Sequence, residues 1–228
     1  MVKKGIQIVS EEKKDSRGNM ISITPSGFFG SSEEMIQSRE NFMTQEELSF
    51  LLEAAKKITV WDETETHYNE NGTVIYDSLY WKDRVATQPS LDKNNKDICP
   101  IIINMQQRLK KEVDAFFNVD AIPTSPAIVR WLPGQLQNPH ADKELHDGPD
   151  AGQPNDFPWY DLSGLFYLND DYEGGELYFP LQNIEFKPKP GGAYFFPGDK
   201  NFIHGVREIK SGIRYVIPFF WTIKKHGQ

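Results

Sequence analysis

Residues 190–221 read Pro190-Gly-Gly-Ala-Tyr-Phe-Phe-Pro-Gly-Asp-Lys-Asn-Phe-Ile-His-Gly-Val-Arg-Glu-Ile-Lys-Ser-Gly-Ile-Arg-Tyr-Val-Ile-Pro-Phe-Phe-Trp221, and this stretch decides the fold. Short aromatic and β-branched runs at 193–196, 203–209 and 213–221 alternate with Gly and Pro. Such runs fit a pleated, half-buried backbone, while Gly and Pro supply the turns between them. The pattern extends upstream through 127–132, 162–168, 176–179 and 184–187, punctuated by Pro133-Gly134 and Gly174-Gly175. Pro218 lacks a ladder donor, which predicts an edge position or a bulge in the last strand.

The N-terminal half reads differently. Thr44 followed by Glu47 forms a capping box ahead of Leu48, Leu51, Leu52, Ala55 and Ile58, which predicts a helix over 45–57. A second helix is expected near 98–117, where Pro100 suits the first turn and Ile102, Met105, Leu109, Val113 and Phe116 form one stripe. Asn71-Gly72 between two β-prone runs predicts a hairpin, with its second strand continuing through Leu79-Tyr80-Trp81. Ile6/Ile8 and Ile21/Ile23 flank a turn-forming stretch that suits an edge hairpin, and 27–32 reads as a loop without chemical signature. The expected fold is mainly β with supporting α: a double-stranded β-helix, the jelly-roll or cupin-like form, with N-terminal helices packed on one sheet. One domain is expected over 1–228, with supporting helices and a hairpin in 1–120 and the jelly-roll core in 121–228.

Composition excludes several classes. Lys and Arg number 25 against 33 Asp and Glu, a net charge of −8 with no basic stripe, which argues against nucleic acid as a partner. One cysteine, Cys99, rules out an intramolecular disulfide, so a reducing, cytoplasmic setting is expected. No segment has the length and apolarity of a membrane span or a signal peptide.

His140-Ala-Asp142 puts an imidazole and a carboxylate at i and i+2, on one face if the segment is extended. His204, at the start of an apolar strand, is the candidate third ligand. Two histidines and one carboxylate leave three positions of an octahedral ion open, the composition suited to non-haem Fe(II) and O2. His-x-Asp alone is a weak signal, and its companions strengthen it. Arg214 offers a rigid guanidinium fork for a carboxylate such as the distal one of 2-oxoglutarate. Tyr167 could add a hydroxyl to the same carboxylate. Taken singly, Arg214 also reads as a surface ion-pair partner and Tyr167 as a core aromatic.

The order His140-x-Asp142, Tyr167-Leu-Asn-Asp-Asp-Tyr-Glu-Gly-Gly-Glu-Leu177, Pro190-Gly-Gly-Ala-Tyr-Phe-Phe-Pro197 and His204-Gly-Val-Arg-Glu-Ile-Lys-Ser-Gly-Ile-Arg214-Tyr resembles the prolyl 4-hydroxylase branch of the 2-oxoglutarate/Fe(II) dioxygenases over 127–222. The resemblance implies a jelly-roll core and an iron chelated by 2-oxoglutarate. It also implies decarboxylation to succinate coupled to hydroxylation of a prolyl residue, with ascorbate as a further requirement. The oxoacid-binding cation of collagen-type prolyl 4-hydroxylases is typically lysine, whereas Arg214 is similar to that of the oxygen-sensing and lysyl enzymes. Trp131 and Gln137 stand where the family usually has tyrosines.

On the substrate side, 143–159 is a polar connection expected to form a mobile rim. Tyr80, Trp81 and Arg84 are candidate contacts for a proline-containing peptide or protein, although a hairpin packed on the core reads equally well. His67, His146 and His226 are expected to face solvent, as are Asp147, Asp150 and Asp156. The leading expectation is an Fe(II)- and 2-oxoglutarate-dependent prolyl hydroxylase. The alternatives are a lysyl or free small-molecule hydroxylase, or a non-catalytic jelly-roll binding protein.

Overall fold

Thr44 Oγ1 accepts the Glu47 N–H at 3.2 Å and Glu47 Oε2 accepts the Thr44 N–H at 2.9 Å, so the expected capping box opens helix α1 (Gln45–Lys56). The computed structural model describes residues 11–14, 20–62, 67–68, 74–76 and 81–223. After α1 come α2 (Gln88–Asn94), which sequence periodicity did not reveal, and α3 (Ile98–Phe117). The α3 stripe of Ile102, Met105, Leu109 and Val113 is fully buried, each side chain contributing about 1.5–3 kcal/mol on removal from water. Asn118, left-handed at φ 54°, ends it.

The strands are β1 (Glu11–Lys14), β2 (Met20–Ile23), β3 (Gln37–Arg39), β4 (His67–Tyr68), β5 (Val74–Tyr76), β6 (Val85–Thr87), β7 (Ala121–Pro123), β8 (Ala127–Trp131) and β9 (Gln137–His140). They continue as β10 (Leu162–Tyr167), β11 (Glu173–Gly174), β12 (Leu177–Phe179), β13 (Ile184–Phe186), β14 (Ala193–Pro197), β15 (His204–Val206), β16 (Ile209–Ser211) and β17 (Arg214–Ile223). A seven-stranded sheet runs β3-β14-β10-β17-β8-β6, with β7 also on β17, and a four-stranded sheet runs β13-β12-β15-β9. The fold is mixed α/β, and neither sheet closes on itself.

β17 shows why strand periodicity matters. Tyr215, Ile217, Phe219, Trp221 and Ile223 enter the core shared with the helices, while Arg214, Val216, Pro218 and Phe220 line a cavity to which both sheets contribute. Gly164 is required where β10 crosses Phe219, because a Cβ there would lie 2.1 Å from the ring.

Several expectations need correction. Pro218 is neither at an edge nor in a bulge: β17 is a central strand, and Pro218 sits opposite Leu165 of β10. On the other side β17 pairs with β8 through 214–216 and with β7 through 221–223, so the proline occupies the gap between two partners. Strand alternation turns its missing N–H toward that gap. Trp81 is helical rather than extended, and a turn closed by Arg84 N–H to Trp81 O follows it. The run 203–209 is two strands: β15 pairs with β12 and β9, Arg207 N–H to Glu176 O continues the β12 register, and β16 then pairs with β11. β2 pairs with β1, whereas Ile6 and Ile8 lie outside the described residues; β4 pairs with β5, but Asn71-Gly72 and Tyr80 lie outside them too.

The chain before α1 is tied to the sheets by a buried ion pair. Lys143 Nζ lies 2.6 Å from Asp161 Oδ1 and donates to Thr24 O and Oγ1 at 2.8 Å; Asp161 Oδ2 accepts the Ile223 N–H at 3.1 Å. Removing one partner strands a buried charge. Lys143→Met is expected to lower the unfolding free energy by about 3 kcal/mol, read from urea denaturation, and an unchanged midpoint would contradict the tie.

Candidate active site

β9 and β15 pair antiparallel with His204 opposite His140, so two histidines far apart in sequence become cross-strand neighbours with ring centroids 4.5 Å apart. Asp142 lies just past the end of β9. Its backbone N–H donates to Gly198 O at 2.9 Å, and Ser163 Oγ donates to its Oδ2 at 2.5 Å. Asp142 Oδ1 is 3.5 Å from His140 Nε2 and Oδ2 is 3.6 Å from His204 Nε2.

The hydrogen bonds decide the tautomers. Nδ1 of His140 faces Asn138 O at 3.0 Å and Nδ1 of His204 faces Phe202 O at 3.1 Å. A carbonyl only accepts, so each Nδ1 carries a proton, and Nε2 is the ring nitrogen turned toward Asp142. The three donor atoms lie within 4.8 Å of one another, which fits one metal ion on one face. Gln137 Nε2 lies 3.1 Å from His140 Nε2, a contact that metal binding must displace.

Electrostatics agree with that reading. Burial opposes the charge on Asp142, but the charges of His204 and His140 and the hydrogen bonds from His140 and Ser163 hold its carboxyl at about 2. Burial pulls His204 down to about 4, with the charge of His140 adding to it. Burial also disfavours charge on His140, yet the bond and charge of Asp142 raise it above the ordinary value. At neutral pH the site holds an ionised carboxylate and at least one neutral imidazole, the forms in which ligands bind metal.

Arg214 lines the same cavity, which measures about 420 Å³, a size suited to a small-molecule site. The side chain is 1% exposed. Its Nη2 donates to Tyr167 Oη at 2.7 Å, whereas Nε and Nη1 have no hydrogen-bond partner. Burial raises the Tyr167 phenol despite the Arg214 charge, so this partner is neutral. The Trp131 and Tyr167 rings, 5.3 and 4.9 Å from the guanidinium carbon, offset part of the desolvation. A buried cation left there without an anion costs several kcal/mol. Arg214 is not a surface ion-pair residue; Tyr167 is hydrogen-bonded to it and is not among the residues lining the cavity.

Of the candidate substrate residues, Trp81 lines the cavity and packs edge-on to Trp131 at 5.8 Å. Arg84 is 2% exposed and packs on both indoles, with its guanidinium carbon 4.9 Å from the Trp81 ring and 4.2 Å from that of Trp131. The connection 143–159 is tied down rather than loose: Leu145 N–H bonds Gln153 O, Asn155 N–H bonds Lys143 O, and the Asn155 amide donates to Asp142 O at 3.0 Å. It delivers Asn155, Phe157 and Tyr160 to the cavity wall. Periodicity missed Ser163 and Asn155, which reach Asp142 only through the tertiary fold.

Residues 127–222 match the family model of the 2OG-Fe(II) oxygenase superfamily. Its relatives are named as prolyl hydroxylases, and the chain is similar to them over part of its length. It is 28% identical over 156 residues to the Acanthamoeba polyphaga mimivirus protein named "Putative prolyl 4-hydroxylase", covering 62% of this chain and 60% of the other. It is 33% identical over 93 residues to human prolyl 3-hydroxylase 2, covering 37% of this chain but 13% of that protein. The chain therefore spans less than two thirds of these relatives. The structure of the viral collagen prolyl hydroxylase from Paramecium bursaria chlorella virus-1 superposes with a TM-score of 0.54 at 19% identity, covering 86% of this chain and 99% of the other.

His140, Asp142 and His204 together form the Fe(II)-binding facial triad. Saturating Mn(II), used as an oxygen-stable substitute, is expected to raise the melting temperature of the protein by binding the folded state alone. His204→Ala should abolish that rise. A full rise in the variant would contradict the triad.

Proposed function

We propose that the protein hydroxylates a prolyl residue of a peptide or protein, consuming 2-oxoglutarate and O2 and releasing succinate and CO2. The observation that carries this reading is Arg214: a buried guanidinium with two unpaired donor atoms, in one cavity with three convergent metal ligands. Fe(II) with O2 supplies the oxidant, and the oxoacid supplies two electrons as it becomes succinate and CO2, leaving one oxygen for the substrate C–H. The chain's own residues do the positioning. His140, Asp142 and His204 would hold the metal, Arg214 would pair with the distal carboxylate of 2-oxoglutarate, and Tyr167 would fix the guanidinium. Ascorbate would keep the iron ferrous.

The cavity wall favours proline over lysine. Phe157, Tyr160 and Phe220 form a parallel stack, with centroids 5.1 Å apart for the first pair and 3.9 Å for the second. Such faces suit a pyrrolidine ring. Among the described residues lining the cavity, Asp142 is the one carboxylate, and it belongs to the triad, so no carboxylate is left there to pair with a lysine ammonium. Trp81 would meet the same substrate, whereas Arg84 would act by packing. We further propose that the two sheets are the halves of a double-stranded β-helix, that the chain folds as one domain with 1–120 supporting 121–228, and that it works in the reducing cytoplasm. Buried Cys99, pushed up to about 12 first by burial and then by Asp92, fits that compartment as an inert thiol.

Incubation with Fe(II), 2-oxoglutarate, ascorbate and a peptide library, read by mass spectrometry, is expected to add one oxygen to proline. Addition to lysine, or to nothing while 2-oxoglutarate is still consumed, would overturn the prolyl assignment. Arg214→Ala removes a charged hydrogen-bond pair of about 1.5–3 kcal/mol, so the 2-oxoglutarate requirement should rise roughly 10- to 100-fold while Mn(II) affinity stays near wild type. Equal losses in both would contradict the role given to Arg214.

A further inference from the structure

Trp131 of β8 is the direct cross-strand partner of Arg214, at the end of β17 that opens into the cavity. It is almost fully buried, and its ring packs against the guanidinium groups of both Arg84 and Arg214. Its Nε1–H is enclosed and has no hydrogen-bond partner, the same condition as Nε and Nη1 of Arg214. Trp221 Nε1, Gln106 Nε2, Gln182 Oε1 and Tyr172 Oη also lack partners, but none of these residues lines the cavity.

An indole N–H donates and never accepts, and it does not titrate in the ordinary range. A guanidinium neighbour cannot satisfy it, because both groups are donors. Unsatisfied buried donors on two neighbouring residues of one cavity suit a shared acceptor, which a bound carboxylate would bring. A carboxylate offers about four lone-pair sites, enough for the Arg214 fork and one donor more.

We propose that Trp131 is a further binding residue for the oxoacid, its indole N–H donating to the distal carboxylate held by Arg214. This inference rests on the function proposed above. Arg84 then serves as a positioning residue, its cation packed on the indole ring.

The test is equilibrium binding of 2-oxoglutarate, and of 2-oxopentanoate, which lacks the distal carboxylate, to the Mn(II)-loaded wild type and Trp131→Phe. Trp131→Phe keeps an aromatic ring and removes the donor. The expected result is an approximately tenfold weaker 2-oxoglutarate affinity and an unchanged 2-oxopentanoate affinity. No change for 2-oxoglutarate, or equal weakening of both acids, would overturn the assignment. A wild type that binds no 2-oxoglutarate would overturn the proposed function with it, whereas wild-type binding that the variant retains overturns Trp131 alone. If the variant does not fold, the Zn(II)-loaded wild type decides by NMR. The Trp131 indole N–H resonance should move downfield with 2-oxoglutarate and stay in place with 2-oxopentanoate; no response to 2-oxoglutarate contradicts the hydrogen bond.

Discussion

A guanidinium buried beside a cavity with a neutral phenol as its hydrogen-bond partner is the constraint around which this molecule is arranged. Desolvating Arg214 is expensive, and the fold accepts that cost because β17 must present alternate residues to two different environments. Its odd-numbered residues from Tyr215 to Ile223 enter the helix-covered core. The even-numbered ones from Arg214 to Phe220 must then face the cavity. Tyr167 fixes the charge without cancelling it, and the aromatic rings around it weaken the penalty without removing it. What remains is a site prepared for an anion.

The metal ligands obey a complementary logic. His140 and His204 are made neighbours by the β9–β15 ladder, and backbone carbonyls two residues before each set the tautomer. Asp142 stands outside regular structure and is held by hydrogen bonds instead: Gly198 O on its N–H, Ser163 on its carboxylate and Asn155 on its carbonyl. The adjacent Lys143 is locked to Asp161 in the core, so the residue after the carboxylate ligand cannot drift. Rigid strands supply two ligands, and a hydrogen-bonded connection supplies the third.

Local features of this arrangement were legible in the sequence. The capping box of α1, the stripe of α3 and most strands of the C-terminal half follow from short-range periodicity and turn chemistry. His140 with Asp142 was legible as a spacing, and His204, Arg214 and Tyr167 through their place in a family-like order. What could not be read depends on long-range pairing. Pro218 is tolerated in a central strand because β17 changes partners at that point, which requires knowing β7 and β8 together. Ser163 reaches Asp142 across the fold, and Arg84, a candidate substrate contact in the sequence, is packed against two tryptophans.

The central claim joins one anion, one metal ion and one cavity, and a crystal structure with Mn(II) and 2-oxoglutarate tests it most directly. The account predicts metal density bonded to His140 Nε2, Asp142 and His204 Nε2, the Gln137 amide displaced from His140, and the distal carboxylate on Arg214. Metal bound by other residues, or an oxoacid seated away from Arg214, would contradict it.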